Sequence, residues 1–355
     1  MKRAAKKAIN PLLEAVQFVS HAQQAKGDDM ATHCMVRYGM IVANNRTLAA
    51  GTPIIESDLH CCPQTDLLRS ALERCGSEHS ITQADGSLFL RSGDFSAYVP
   101  VIDGSTLAVA VPDAPIAACG DRFRDSLGVT ASLVKDNAPT LLQSSIQLLN
   151  GSTISTNGAV ILQHWHGFNM PDGLVIPACF AKALCKIKKT IAAWGYSRES
   201  FTIHFEDHSW IMTQRYRDAV PIIENKLTDN MIPFELPVGI FGQVEQVARF
   251  SEDGRVYVYE DAIRSHHPEK VSVGAYQSRP MPELRQGVSY SIAAMDAIAK
   301  HATHFDDRAS ERATMFYGKD LRGAIARDEI RFNPNIQPCT ICGHPSAIDC
   351  ECIPF

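Results

Sequence analysis

The sequence predicts an α+β protein built from three tandem copies of one module, each with two helices and a hairpin-rich sheet. Three helical segments begin near residues 67, 179 and 291, so that both intervals are 112 residues long. Short alternating strands follow each of these segments, and another helix with its own strands precedes each of them. A chain of 355 residues is also longer than one ordinary core requires, which agrees with several domains.

The helix at the centre of the first module is predicted over residues 67–75, with Thr65 as its N-terminal cap and Gly76 at its end. A threonine hydroxyl accepts a hydrogen bond from a free N–H of the first turn, and glycine adopts the left-handed conformation that ends many helices. Its counterparts are predicted over residues 179–189, after Pro177, and over residues 291–300.

The segments after these helices alternate between apolar and polar residues and are interrupted by turns that contain Asp or Gly, which is the signature of β-hairpins. The predicted strands cover 80–83, 87–91 and 95–99 in the first module, 201–205 and 210–213 in the second, and 303–305, 313–317 and 321–325 in the third.

A second helix opens each module, because apolar residues recur at three- and four-residue steps over 11–25, 123–133 and 238–250. Strands follow it at 35–50, at 141–163, and at 255–259 with 271–276. The predicted domains are therefore residues 1–113, 114–228 and 229–328, followed by a cysteine-rich tail over 329–355. A head-to-tail contact between the first and last modules of two chains would close a ring.

Positive charge is concentrated in one part of a chain whose formal net charge is −5. Residues 173–198 contain five basic residues and no acidic residue, so the rest of the chain sums to −10. On the predicted helix, an apolar stripe runs through Phe180, Leu184 and Ile187 and on to Ile191 and Trp194, and three lysines lie roughly opposite it. Such a face suits DNA phosphates, although a solvated basic helix face would show the same pattern.

Basic residues at comparable places in all three modules favour the phosphate-binding interpretation. Contacts of this kind bind duplex DNA without reading its sequence, and they weaken as salt rises. The candidate DNA-binding residues are Lys26, Arg69, Arg74, Arg122, Arg124, Lys135, Lys182, Lys186, Lys189 and Lys300.

Several segments resemble the bacterial β-type sliding clamps of DNA polymerase III, in a phage or otherwise divergent form. The resemblance rests on residues 67–76 followed by 80–99, on 154–161 in the middle module, and on 287–290 before the last helix, and it extends over about residues 9–328. It implies a homodimeric ring of six domains with helices around the hole and sheets outside. Such a ring is a processivity factor without catalytic activity, and its partners are double-stranded DNA, the replicative polymerase and an ATP-dependent clamp loader.

The resemblance also implies a groove that receives short peptides of partner proteins. The groove segment of the family, of the type Thr-Asp-Gly-His-Arg-Leu, corresponds to residues 156–161, where Ala159 and Val160 replace His and Arg. A more apolar groove is therefore expected here. The candidate groove residues are Thr156, Gly158, Ala159, Val160, Ile161 and Ile325.

Four of the eleven cysteines lie in the tail, as the pair Cys339 and Cys342 and the pair Cys350 and Cys352. Four thiolates in so short a window would suit a structural zinc ion, and a reduced tail without metal is the alternative. The other seven cysteines are expected to be reduced, mostly buried residues of a cytoplasmic protein without required cofactors. A zinc-dependent enzyme that uses the tail and a monomeric interaction scaffold remain the alternatives to a DNA clamp.

Overall fold

The computed structural model describes residues 10–54, 58–75, 79–84, 86–216, 220–227, 232–260, 262–270, 274–278 and 284–332. The described residues form α-helices and several antiparallel sheets, which confirms the predicted α+β class. The chain divides into two compact units, one of Met1–Gly128 with Phe168–Val220 and one of Val129–Gly167 with Pro221–Phe355. No helix in the described ranges is long and apolar enough to cross a bilayer.

Seven α-helices are described. They are α1 Pro11–Val19, α2 Asp29–Thr32, α3 Thr65–Arg74, α4 Asp121–Ala131, α5 Ala178–Lys186, α6 Ile240–Ala248 and α7 Ile292–Ile298. Helix α1 shows how its sequence specifies its start: Pro11 occupies the first turn, and the side chain of Asn10 accepts hydrogen bonds from the backbone N–H groups of Leu12 and Leu13.

The described strands are mostly short and antiparallel. In chain order they are β1 Cys34–Arg37, β2 Met40–Asn44, β3 Leu48–Pro53, β4 Cys62–Pro63, β5 Ser80–Ala84, β6 Ser87–Ser92, β7 Phe95–Ile102, β8 Ala117–Ala118, β9 Ser145–Leu149, β10 Ser152–Thr156, β11 Val160–Trp165, β12 Leu174–Pro177, β13 Ile191–Tyr196, β14 Ser200–Phe205, β15 Trp210–Gln214, β16 Phe234–Glu235, β17 Arg255–Tyr259, β18 Ala262–Arg264, β19 Tyr276–Ser278, β20 Val288–Ser291, β21 His304–Asp306, β22 Ala313–Gly318, β23 Leu321–Ala326 and β24 Asp328–Glu329.

The first unit contains a seven-stranded sheet of order β1-β2-β3-β15-β14-β13-β8 and a four-stranded sheet of order β4-β7-β6-β5. Aromatic side chains of helices α4 and α5 pack against the larger sheet. The ring centroids of Phe123 on α4 and Phe180 on α5 lie 6.1 and 5.9 Å from that of Phe201 on β14, and all three side chains are fully buried. Each such burial stabilises the fold by about 1.5–3 kcal/mol.

The second unit contains strands in the order β9-β10-β11-β23-β22-β21-β16 and a five-stranded sheet of order β19-β18-β17-β20-β24. Val244 of α6 and Ile298 of α7 lie in one apolar core with residues of both sheets. A buried ion pair joins Arg327 to Asp307, with 3.2 Å between Nη1 and Oδ1, and the same Nη1 donates to the hydroxyl of Thr314. This pair fixes the chain immediately after β23.

Three details of the predicted helices are wrong. Helix α1 ends at Val19 and is followed by one 3₁₀ turn over Ser20–Ala22, rather than continuing to residue 25. Helix α5 ends at Lys186 rather than at residue 189, and Ile191 and Trp194 belong to strand β13, where they face Phe205 and Ile203 of β14. The regular apolar spacing thus continued across the end of one element into the next. Thr65 is the first residue of α3, the N-cap position belongs to Gln64, and no side chain caps the helix. Gly76 lies outside the described residues.

One element order nevertheless occurs three times: a helix, four strands, a second helix and three strands, with the short strands β8 and β16 before α4 and α6, and β24 after the last repeat. Helices α1, α4 and α6 are the first of these two helices in each repeat, and α3, α5 and α7 are the second. The extra short helix α2 is found only in the first repeat among the described residues. The domain limits at 113, 228 and 328 remain a prediction.

Candidate DNA-contacting residues and partner groove

Most of the predicted DNA-binding residues of the first unit reach solvent from a helix or from the loop that follows one. Lys26, Arg74, Arg122 and Lys186 are exposed. Lys182 is half-buried on α5. Arg69 on α3 is half-buried as well and forms an ion pair with Asp66 at 3.0 Å, so part of its charge is already compensated. The first unit therefore presents several exposed cations on or beside its helices.

Lys186, the last residue of α5, lies close to the turn that follows α1. Burial lowers the pKa of His21 in that turn below its usual 6.5, and the positive charge of Lys186 lowers it further. The two chain segments, distant in sequence, thus place their basic groups side by side. An anion bound at Lys186 would offset the charge of that lysine and so favour protonation of His21.

Arg124 is turned inward, unlike its neighbour Arg122. Its side chain is only 15% exposed, its Nη1 lies 3.1 Å from Oδ1 of Asp121, and its Nη2 donates to the backbone carbonyl of Lys189. The guanidinium therefore ties helix α4 to the chain between α5 and β13. This arrangement gives Arg124 a structural role and leaves little of its charge for a phosphate.

Lys189 is also bound within the protein. Its Nζ lies 2.6 Å from Oδ2 of Asp207, 3.1 Å from Oγ of Ser209 and 4.0 Å from the ring centroid of Phe18. Burial alone would raise the pKa of Asp207, but the hydrogen bonds from Lys189 and Ser209 lower it. The ammonium group therefore joins α1 to the turn between β14 and β15 instead of pointing to solvent as the helical prediction required.

The second unit holds the remaining two predicted DNA-binding residues. Lys135 follows α4 and Lys300 follows α7, and both are exposed. Burial lowers the pKa of His301, and the adjacent charge of Lys300 lowers it further. Lys135 lies in the loop after a helix, as predicted, whereas Lys300 was predicted on the helix and lies in the turn that follows it.

The predicted groove segment forms the β10–β11 hairpin of the second unit. The Thr156 hydroxyl donates to the Val160 carbonyl at 2.7 Å, and Oδ1 of Asn157 accepts from the N–H groups of Ala159 and Val160 at 3.0 and 2.8 Å. Gly158 has a φ of +93°, a conformation that favours glycine. These bonds make the turn rigid.

The groove residues lie on two opposite faces of the sheet. Val160 pairs with Ile325, and both side chains are buried in the core beneath α6 and α7, so a peptide cannot reach them without unfolding the unit. Ile161 is next in the strand and pairs with Ala324 on the other face. There it packs in a second apolar cluster with Ile223 and Leu227.

This second cluster contains residues that the sequence reasoning missed. Gln147 positions the segment that follows Val220, since its Nε2 donates to the Pro221 carbonyl at 2.7 Å. Ile222 next to it is 51% exposed. The two isoleucines that follow Pro221, Ile222 and Ile223, were the signal in the sequence that could have predicted this cluster. We call it the apolar surface cluster after its partly buried residues, Leu142, Ile161, Ala309, Ala313 and Tyr317, which pack over the buried Leu149, Ile154, Ile223, Leu227, Met315 and Ala324.

Five of the scattered cysteines are buried as expected, whereas Cys179 is half-buried and Cys185 is exposed. Burial raises the pKa of Cys34, Cys61 and Cys119 to about 12, so these thiols stay protonated and unreactive. No group of three or more metal-ligating side chains occurs in the described ranges. Cys339, Cys342, Cys350 and Cys352 lie outside those ranges, so the predicted zinc site remains a prediction.

Comparison with solved structures identifies the architecture. The DNA polymerase III subunit beta of Pseudomonas aeruginosa matches with a TM-score of 0.72 over 90% of this chain and 98% of its own, at 9% sequence identity. The chain has the fold of a bacterial DNA sliding clamp. The prediction of a sliding-clamp architecture is thereby confirmed.

Two further sliding clamps agree with this result. A putative DNA polymerase III beta subunit from Eubacterium rectale gives a TM-score of 0.71 at 10% identity, and covers 90% of this chain and 97% of its own. The Helicobacter pylori beta clamp bound to a DNA ligase peptide gives 0.67 at 13% identity, over 89% and 97%. No protein-family model and no curated protein matches the sequence.

Proposed function

We propose that the protein is a sliding clamp that encircles duplex DNA and tethers a replicative polymerase to it. The sliding-clamp fold over 90% of the chain is the observation that carries this proposal. Exposed cations on or after helices α3, α4, α5 and α7 support it, because contacts to phosphate alone hold DNA without fixing its register. The protein would act mechanically, as a ring that duplex DNA cannot leave sideways, and not as a catalyst.

The strand pairing supports a head-to-tail homodimer. Strand β3, the third strand of the first repeat, pairs with β15, the last strand of the second repeat. In the same way β11 pairs with β23, which is the third strand after α7, as β15 is the third strand after α5. The equivalent pair is β19 with β7, and in the described ranges β19 is the outermost strand of its sheet. We therefore assign β19 of one chain and β7 of another to the contact that closes the ring.

Exposed aromatic residues at these two strands agree with that assignment. Tyr98 of β7 is 71% exposed and Tyr276 of β19 is 64% exposed. Along β7, strand β4 pairs only at Val101 and Ile102, so the described chain leaves the same edge open at residues 95–99. Open strand edges readily pair with another chain. An ATP-dependent loader would then be needed to open the ring around DNA.

The apolar surface cluster of the second unit supports a site for partner peptides. Ile161 and Tyr317 are partly buried there and Ile222 is exposed beside them, so apolar side chains of a peptide would gain contacts at little cost. At the border, Arg322 donates from Nε to Gln163 at 2.8 Å and pairs with Glu224 at 3.4 Å. The segments of polymerase and loader that bind here would be predominantly apolar.

Retention on circular DNA tests the proposal. After loading onto a nicked plasmid by an ATP-dependent clamp loader, the protein should remain bound at a salt concentration that abolishes its binding to short duplexes. Cutting the plasmid once should release it. Release from the uncut circle at the same rate as from the cut DNA would contradict an encircling ring. Sedimentation should show a dimer, and a monomer at all concentrations would contradict ring closure by two chains.

A further inference from the structure

The first unit contains an apolar cavity of about 370 Å³ that the proposed function does not use. It lies between the β1–β2 hairpin and the segment at 109–112. Cavities of about 300–1,000 Å³ are typical of ligand sites. The side chains that form it are Met35, Met40, Val42, Val109, Val111 and Trp210.

The internal repeat places this cavity at the position that corresponds to the apolar surface cluster of the second unit. In the β2–β3 hairpin Met40 faces Pro53, as Ser152 faces Trp165 in the β10–β11 hairpin. The register continues into the next strand, where Gly51 faces Trp210 and the equivalent residue Gln163 faces Arg322.

The two positions differ in their chemistry. The equivalent position in the second unit is occupied by polar side chains. There Arg322 donates a hydrogen bond to Gln163, and Gln163 donates one to Glu224. In the first unit the indole of Trp210 lies against Gly51, so closely that any Cβ at this position would collide with the ring. Glycine here lets the tryptophan lie flat on the strand, and the result is an apolar floor in place of a polar network.

One cation stands at the rim of the cavity. Tyr38 and Gly39 form the β1–β2 turn with φ values of 52° and 69°, a geometry typical of tight two-residue hairpins. Arg37 lies with its guanidinium 4.6 Å from the ring centroid of Tyr38 and donates to the tyrosine hydroxyl at 2.8 Å. Arg37 is exposed, and its hydrogen bond to the neutral Tyr38 hydroxyl leaves its charge uncompensated by that partner, so it is available to an acidic group of a ligand.

We propose that this cavity is a second docking site, for a short peptide segment of another protein that carries a large apolar side chain next to an acidic residue. The apolar side chain would pack on Trp210 between Val42 and Val109, and the carboxylate would pair with Arg37. Such a site goes beyond the proposed function, since it depends neither on DNA nor on the groove of the second unit. A ring with two kinds of peptide site would hold two different partners at once.

A selection from random heptapeptides displayed on phage tests the proposal with the full-length protein as bait. Peptides that also bind the variant Val109→Asp are removed. The remaining peptides should combine Leu, Ile, Phe or Trp with Asp or Glu. In fluorescence polarisation, a labelled copy of an enriched peptide should lose at least tenfold in affinity with Arg37→Glu and with Val109→Asp. It should bind the matched control Val238→Asp, which changes an exposed valine of the second unit, as it binds the wild type.

Three results would overturn the proposal. The first is a selection that yields no peptide sensitive to Val109→Asp. The second is binding that appears only after residues 333–355 are deleted, since the occupant would then be the chain itself. The third is dissociation of a dimer by Val109→Asp, which would assign the cavity to a second copy. Both test positions are exposed, so the variants should fold, and unchanged thermal unfolding checks this.

Discussion

Removing exposed cations should lower the salt dependence of DNA binding by a calculable amount, whereas removing internally bound ones should not. Each phosphate contact contributes about 0.9 to the slope of log affinity against log salt. The double variant Lys186→Ala with Lys26→Ala removes two exposed charges per chain, and four from the proposed ring of two chains. If all four contact phosphates, the slope falls by about 3.6, and the loss of affinity between 50 and 200 mM salt becomes about 150-fold smaller.

The assay is fluorescence anisotropy with a labelled duplex of about 30 base pairs, titrated at four salt concentrations. Lys189→Ala is the first control, because its ammonium already pairs with Asp207, and it should lower the melting temperature and leave the slope unchanged. Lys319→Ala is the second control, since Lys319 is an exposed lysine of the β22–β23 turn. A double variant that retains the wild-type slope, or a Lys319→Ala variant that lowers the slope as much, would contradict the proposed phosphate contacts.

Three other outcomes are expected. The pKa of His21 is below 6.5 in the folded protein, so the free energy of unfolding should decrease as the pH falls below 6.5. DNA phosphates bound near Lys186 should raise the pKa of His21, which an NMR titration would measure. An unchanged pKa on DNA binding would contradict the contact. Replacing Arg327 by Leu removes the ion-pair partner of the buried Asp307, and the free energy of unfolding measured in urea should fall by about 3–5 kcal/mol. A decrease below about 1 kcal/mol would show that the pair is not buried in solution. Tyr98→Asp at the open edge of β7 should convert the dimer to a monomer in sedimentation without changing the circular dichroism, and a persistent dimer would exclude this edge from the contact.

The repeat was predictable because each module carries the same local signals at the same spacing, and hairpin turns and helix starts are local properties. The predicted C-terminal end of helix α5 was wrong. Ile187 closes the helix and Ile191 opens β13, yet their four-residue spacing imitates a continuous helical stripe. Sequence spacing cannot distinguish these cases, because the strand forms only through its pairing with β14.

The roles of single residues were less predictable than their positions. Lys189 and Lys186 look equivalent in the sequence, but Asp207, which binds Lys189, comes from a turn 18 residues further along the chain. The groove shows the same limit. Alternation along β11 places Val160 and Ile161 on opposite faces, and only the pairing with β23 shows which face is covered by helices.

The pairing of β3 with β15 has a practical consequence for anyone who would study a single repeat. Four residues of β3, from Leu48 to Gly51, bond to a strand that the chain reaches more than 150 residues later. A fragment that stops near residue 113 would lack β15, so the backbone amide and carbonyl groups along this edge of β3 would have no partner. Gly51 would also lose the indole of Trp210 that covers it. We expect such fragments to precipitate or to exchange strands with one another, so that affinities measured on them would describe an artefact of the cut.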